Sequence, residues 1–374
     1  MKEYRPRLTE EEYNAVLKLR ESKDMVSDSD TQTEGYESTE MTDTFKEYCE
    51  RYGLDISKVK SYKFVNHQGQ QAFNIVFHEG EEVEFNPSQV KKELEDWIDG
   101  RVRVDIKSKE RTDKEGVLTI TDLHFGAYVD NLIRSKPFSI SVLANMLEQI
   151  VDKVNYYGYS KVHVHILGDL IESFTGMNHA NTWKGLGKGM FGSQVVKLTT
   201  KILHENFLSK IYNLGQVKII GANHDRVTTN NDEDVHGEAA DIISWGLELM
   251  GYDVEFNPLV ITHKVDGITH ILLHGHHGLS KQTTEEICWK YGSKGSFNFI
   301  KEGHMHTRIQ KLTAKSKEKF KTVKDDTIDL RRQIMPSLFT GNFYSESSGW
   351  ETTPGFVIIE NNGHGKPNVF DFSL

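Results

Sequence analysis

The stretch Gly-Val-Leu-Thr-Ile-Thr-Asp-Leu-His-Phe-Gly, residues 116–126, constrains this chain most. Its first half is a short β-branched run that reads as a buried strand. The run ends at Asp122, and His124 follows in a loop turned by Gly126. A carboxylate and an imidazole at the mouth of a buried strand are costly unless a cation lies between them. A divalent metal is the economical occupant, and the other ligands should come from other strand ends.

From Gly116 onward the pattern alternates strand and helix. Strands are expected at 117–121, 161–167, 217–220, 269–273 and 297–300, and helices at 140–154, 193–212, 237–250 and 283–291. A Gly-rich loop spans 176–192, and three closing strands fall at 334–339, 355–360 and 367–372. This order predicts an α/β core, a layered sheet with helices outside, closed by antiparallel C-terminal strands.

Each of the five inner strands is followed by residues that bind metals. Asp122 and His124 follow the first, Gly168 and Asp169 the second, and Gly221, Asn223, His224 and Asp225 the third. His274 and Gly275 follow the fourth, and Gly303, His304 and His306 the fifth. In sheets with parallel strands the loops at the carboxyl ends converge on one crevice. Three oxygen ligands (Asp122, Asp169, Asn223) and four imidazoles (His124, His274, His304, His306) are too many for one tetrahedral ion. They suit two ions if one carboxylate bridges. Two ions about 3.5–4 Å apart clamp a phosphate and lower the pKa of a bridging water. That is equipment for hydrolysing a phosphoester by in-line attack of hydroxide.

Asp-Leu-His, Gly-Asp, Gly-Ala-Asn-His-Asp, His-Gly-His and Gly-His-Met-His, in that order, resemble the calcineurin-like metallophosphoesterase family over about residues 116–310. The resemblance implies a four-layer α-β-β-α sandwich. It also implies one ion on Asp122, His124 and His306, a second on Asn223, His274 and His304, and Asp169 bridging both. His224 would be the general acid, and Asp225 would orient its imidazole. The family usually writes Gly-Asn-His; here Ala222 stands between, leaving the Asn-His pair intact. The ions would be Mn2+ first, with Fe, Zn2+ or Co2+ according to supply.

Other residues carry two readings each. Glu172 is either close to the phosphate or a helix-start carboxylate favouring a dipole. Arg226 meets substrate phosphate or forms a surface ion pair. Asn178, His179, Asn181, Trp183 and Lys184 contact a substrate above the metals, or their loop packs through Trp183. His163 and His165 share one strand face and are not needed as ligands, nor are His276 and His277. The long loop and the 342–346 segment resemble family members encoded by bacteriophages. The family holds protein phosphatases, nucleotide phosphodiesterases and nuclease subunits of double-strand-break repair complexes. Lys311, Lys315, Lys317, Lys319, Lys321 and Lys324 either track a phosphate backbone or solvate a hairpin. The first expectation is a nucleic-acid phosphodiesterase in a host cytoplasm. The alternatives are a phosphoesterase for small nucleotides or phosphoproteins, and a non-catalytic binding module.

The N-terminal part reads differently. An amphipathic helix is expected at 8–22, with Thr9 and Glu12 at its start, followed by an acidic linker at 27–40. A small α+β appendage, possible partner-docking module and winged-helix-like, is expected over 44–112, between a 1–43 arm and a 113–374 catalytic domain. Its parts are a helix at 45–52, strands at 61–65 and 72–77 around a turn at 66–71, and a polar helix at 90–98. The net charge of −10 argues against a broad electrostatic nucleic-acid binder, and Cys49 and Cys288 are too few for a disulfide framework. No apolar run is long enough for a membrane span, and the N-terminus lacks a signal peptide's apolar segment.

Overall fold

The computed structural model describes residues 43–52, 54–67, 70–77, 92, 95–96, 98, 101, 103–107, 111–130, 132–176, 182–228, 238–305, 329–347 and 352–374. The expected helix at 8–22, the linker at 27–40 and most of 90–98 lie outside them.

The continuous apolar run after Lys114 forms a strand because both of its faces are covered. β3 (Glu115–Ile120) lies inside a six-stranded sheet, between β4 (Lys161–Ile166) and β11 (Gly355–Asn361). Beyond β4 come β5 (Leu214–Ile220) and β6 (Val254–Asn257), so four strands run parallel. β11 pairs antiparallel with β3, and β12 (Pro367–Ser373) closes the edge antiparallel to β11. The second sheet has the order β10 (Leu330–Ile334), β9 (Phe297–Glu302), β8 (Ile268–Leu273), β7 (Ile261–Val265). β8, β9 and β10 are parallel, and β7 turns back antiparallel onto β8.

Alternation along the strands sorts the layers. Leu118, Ile120, Val162, Val164, Ile166, Val217 and Ile219 face outward, into a core shared with α2 (Ile140–Tyr157), α3 (Gly192–Ile202) and α4 (Ala239–Leu249). Ser139 caps α2 by accepting from Val142 N, and Gly158 ends it at φ 64°. Val117, Leu167, Ile220, Val357 and Ile359 face inward against Ile261, Val265, Ile268, Leu272 and Phe299 of the second sheet. That sheet's far side, Ile271, Leu273 and Ile300, packs on Ile287 of α5 (Thr284–Tyr291), which a Thr283–Glu286 capping box starts. The result is the four-layer α-β-β-α sandwich that the motifs implied. No described helix is long and apolar enough to cross a membrane.

Three strands depart from the sequence expectation. β6 and β7 are short edge strands, and β7 alternates buried and exposed along Ile-Thr-His-Lys-Val. The strand expected at 334–339 lies earlier, at β10. Pro336 cannot donate to a ladder, and the chain beyond it crosses under the first motif, with Leu338 N bonding Thr121 O and Phe339 N bonding Asp122 O. The helix expected over 193–212 is α3 followed by a π-turn at Leu203–Phe207 and a 3-10 turn at Leu208–Lys210.

The N-terminal α1 (Asp43–Tyr52) and the antiparallel hairpin of β1 (Val59–His67) and β2 (Gln70–Phe77) form a separate small core. Phe45, Tyr48, Cys49 and Val59 close it on Leu186, with Phe191 packed alongside. The appendage is thus seated on the Gly-rich segment that leads into α3.

Candidate metal centre

The loops that leave β3 and β4 are bonded to each other beyond the sheet. Asp122 N donates to Gly168 O (3.2 Å), His124 N to Asp169 O (2.9 Å) and Phe125 N to Leu170 O (2.8 Å). Holding them this close bends the backbone. Among the described residues seven non-glycines have positive φ, and Asp122 (54°), His124 (47°), Asp169 (48°) and His304 (66°) are four of them. Such conformations cost of order 1–3 kcal/mol each and persist where the surroundings enforce them, typically at functional sites. The close approach also needs Gly168, at φ 87°: a Cβ there would sit 2.5 Å from the Ala222 Cβ and 2.8 Å from His274 Nδ1.

Strand ends from both sheets meet here. Asp122, His124 and Asp169 have ligand-type atoms within 4.8 Å of one another, and so do Asp169, His274 and His304. Asp169 belongs to both groups. Its Oδ2 lies 3.1 Å from His274 Nε2 and 3.7 Å from His124 Nε2. His274 Nδ1 is 2.6 Å from Leu167 O, so that nitrogen donates and Nε2 is the atom turned toward Asp169. Asp169 Oδ2, His274 Nε2 and His304 Nδ1 are buried and have no hydrogen-bond partner. Buried polar atoms without partners are expensive, and these aim at common points. Carboxylate oxygens mixed with imidazoles, those of His124 and His274 steadied through Nδ1 by Glu172 and Leu167 O, fit divalent ions.

The electrostatics agree. Asp122, Asp169, Glu172 and Asp225 are all buried within this small volume. Burial alone would raise the Asp169 carboxyl, but His274, His224 and His124 outweigh it and hold it well below the usual range. Burial would lower His274, yet the Asp169 carboxylate raises it to about 9. His124 is also raised: burial opposes charging, but Glu172, Asp169 and Asp122 outweigh that. Asp225 is pushed up to about 8 by burial and by the Asp169 charge. A cluster that draws protons this strongly is asking for positive charge.

The loop after β5 contributes the remaining groups. Asn223 is buried beside His224, whose backbone N donates to Asp169 Oδ1 (3.0 Å). His224 Nδ1 is 2.7 Å from Glu172 O and donates to it, which leaves Nε2 as the atom that exchanges a proton. The orienting group is therefore a carbonyl. Asp225, expected to orient His224, turns the other way and accepts from Ile171 N (3.2 Å), because the turn from Ala222 to Asp225 sends neighbouring side chains apart. Glu172 is buried with Oε2 2.6 Å from His124 Nδ1, so its carboxylate faces an imidazole rather than an open surface. Arg226 is buried too, which excludes a surface ion pair. His276 stacks on His277 (centroids 3.7 Å) and flanks His274 at 5.2 Å.

His306, Asn178, His179 and Asn181, together with the lysines from Lys311 to Lys324, lie outside the described residues. Two residues that sequence reasoning passed over complete the lining. Thr121 Oγ1 donates to Asp122 Oδ2 (2.9 Å). The Phe339 ring stacks on His124, with centroids 4.5 Å apart. Thr121 was visible as the last strand residue before the first ligand; nothing near Phe339 in sequence signals its position.

Two facing sheets with helices on both outer faces make the sandwich that the resemblance to calcineurin-like metallophosphoesterases implied, and two residue groups that could hold a metal ion share Asp169. No family model and no curated protein matches the chain. Among solved structures it is similar to a Vps29 variant from Entamoeba histolytica (TM-score 0.32, 13% identity, covering 69% of this chain and 99% of that one). It is also similar to Yfce, a phosphoesterase from E. coli (TM-score 0.32, 11% identity, covering 66% and 89%). A third is the sulfate thiohydrolase SoxB of Thermus thermophilus (TM-score 0.33, 12% identity, covering 71% and 57%). Likenesses this distant carry no weight on activity; the side-chain geometry does.

Proposed function

We propose that this chain is a dinuclear-metal-dependent phosphoesterase that hydrolyses phosphodiester bonds in nucleic acid. The observation that carries the reaction class is the pair of ligand groups sharing buried Asp169, with His224 beside them. One ion would rest on Asp122, His124 and His306, the other on Asn223, His274 and His304, and Asp169 would serve both. When bound, the two cations would hold the phosphate and supply a nucleophilic water at neutral pH. Hydrolysis forms one P–O bond from that water and breaks the bond to the leaving oxygen. His224 Nε2 hands that oxygen its proton, while the Glu172 carbonyl keeps Nδ1 protonated and the ring aimed. Arg226, buried two residues after His224, would meet the substrate phosphate. The choice of nucleic acid, in a phage or DNA-processing setting, rests on the lysine run that follows His306.

The test is Mn2+-dependent hydrolysis by the purified full chain. It compares single- and double-stranded DNA with bis-p-nitrophenyl phosphate and a panel of nucleotides. DNA cleavage that disappears in Asp169→Asn supports the nuclease reading. Turnover confined to the small esters replaces it with a small-substrate phosphodiesterase, and no turnover of any ester removes the enzyme reading.

A further inference from the structure

The space between the two sheets is not uniformly apolar. Beneath the metal centre the inward positions of five strands are polar: Thr119 on β3, His163 and His165 on β4, His263 on β7, His270 on β8 and Lys301 on β9. Thr119, His165 and Lys301 are 0% exposed and His270 1%. Lys301 Nζ donates to Thr119 Oγ1 (2.8 Å) and lies 3.0 Å from His165 Nδ1. His165 Nε2 lies 2.9 Å from His263 Nδ1. Among the described residues no carboxylate bonds Lys301.

One protonation pattern satisfies all of these contacts. A neutral amine has two N–H groups, and Lys301 has two acceptors, Thr119 Oγ1 and His165 Nδ1. Because His165 Nδ1 accepts, its Nε2–H must donate, and His263 Nδ1 accepts in turn. An ammonium's third N–H would find, among the described residues, only the Phe299 ring, whose centroid is 5.9 Å from Nζ, and buried charge without a counter-ion is costly. Burial accordingly pushes the Lys301 amine well below its ordinary value. Burial, Lys301 and the neighbouring imidazoles push His165 and His270 down. The charged groups at the margin have partners of their own: Lys218 pairs with Glu255 (2.6 Å), and Glu115 faces His163 (3.2 Å), which burial pushes toward the neutral form.

Four of the six seam residues sit three or four positions before a candidate ligand that follows the same strand. Thr119 precedes Asp122, His165 precedes Asp169, His270 precedes His274, and Lys301 precedes His304. At about 3.3 Å per residue the seam therefore lies roughly 10–13 Å below the ligands. The metal centre is divided between the same two sheets, with Asp122, His124 and Asp169 on one and His274 and His304 on the other. Sliding one sheet past the other by a fraction of an ångström would change the spacing across Asp169.

We propose that Lys301, held between Thr119 and His165, is a positioning residue that registers the two sheets and so sets the distance between the two metal subsites. This rests on the metal-centre reading and not on the substrate.

The test uses the full chain with Mn2+ alone. Calorimetric titration gives the affinity, and electron paramagnetic resonance reports the spin coupling of a close Mn2+ pair. Lys301→Met keeps the apolar stem and deletes the link. It should melt at or above the parent without metal, yet bind the Mn2+ pair about tenfold or more weakly and lose or alter the coupling signal. Thr119→Val should weaken binding in the same direction, and Thr119→Ser, which restores the hydroxyl, should recover it. These two variants decide the matter if Lys301→Met does not fold. Unchanged affinity and coupling in a folded Lys301→Met or Thr119→Val overturns the proposal alone. A parent chain that binds no Mn2+ pair overturns the metal-centre reading together with it.

Discussion

The two ends of one inter-sheet space treat the same side chain in opposite ways. At the carboxyl ends of the strands, His274 and His124 sit among Asp122, Asp169 and Glu172 and are drawn toward the charged form. A few residues down the same strands, His165, His263 and His270 face Lys301 and one another and are driven toward the neutral form. Burial is comparable in the two places, so it cannot decide the difference. Carboxylates decide it: among the described residues the upper region has four, and the lower one has Glu115 at its margin. The upper region is built to receive cations from outside, and the lower to exclude charge while still bonding sheet to sheet.

The largest expected effect is at the shared carboxylate. Asp169→Asn removes charge from both ligand groups at once, and its Oδ2 faces both His124 and His274. Metal analysis should find both ions lost and hydrolysis undetectable; a variant that keeps two ions would break the assignment of Asp169 as the shared ligand. His224→Ala should act on rate alone. Its imidazole is not one of the ligands that the motifs imply, and its Nδ1 is spent on the Glu172 carbonyl, although His224 could form a third metal-holding group with His124 and Glu172; ion content should persist while kcat falls by roughly 10²–10⁴. Loss of an ion in His224→Ala would move that residue from proton transfer to metal binding.

Sequence shows the upper region far better than the lower. Ligand types follow strands in order, because a buried strand end bearing Asp or His has few uses other than binding a cation. The sharp turns were announced by Gly168 and Gly275, both at positive φ. The left-handed backbone at Asp122, His124, Asp169 and His304 was not, because it results from two loops bonding across strands that are remote in sequence. The seam was half visible. Alternation put His163 and His165 on one face, but their meaning depends on Lys301, more than a hundred residues away on another sheet. β10 was displaced for a related reason: Leu-Arg-Arg-Gln-Ile is an edge strand whose single fully buried residue is Leu330, so it has little apolar pattern to detect. Arg332 instead binds Glu302 at 2.7 Å, a contact that sequence alone cannot propose.

The smallest expected effect separates the two regions by pH. His270 is buried against Phe299, its Nδ1 has no hydrogen-bond partner, and its folded-state pKa lies well below the unfolded value near 6.5. Below pH 6.5 the unfolded chain therefore takes up a proton that the folded chain refuses, and stability falls as pH falls, by about 1.4 kcal/mol per pH unit for each such imidazole. His274 adds no slope there, since its raised pKa leaves it protonated in both states below the unfolded value; its contribution is lost only as pH rises toward about 9. His270→Leu deletes the lower group and leaves the upper one in place. Without metal it should melt close to the parent at pH 7.5 and above it at pH 5. Equal melting shifts at both pH values would mean that His270 contributes through packing alone and that the seam accepts a proton at this position. Because Leu fills the site without a polar atom, a gain confined to acid pH can only come from the proton that His270 is unable to bind in the folded chain.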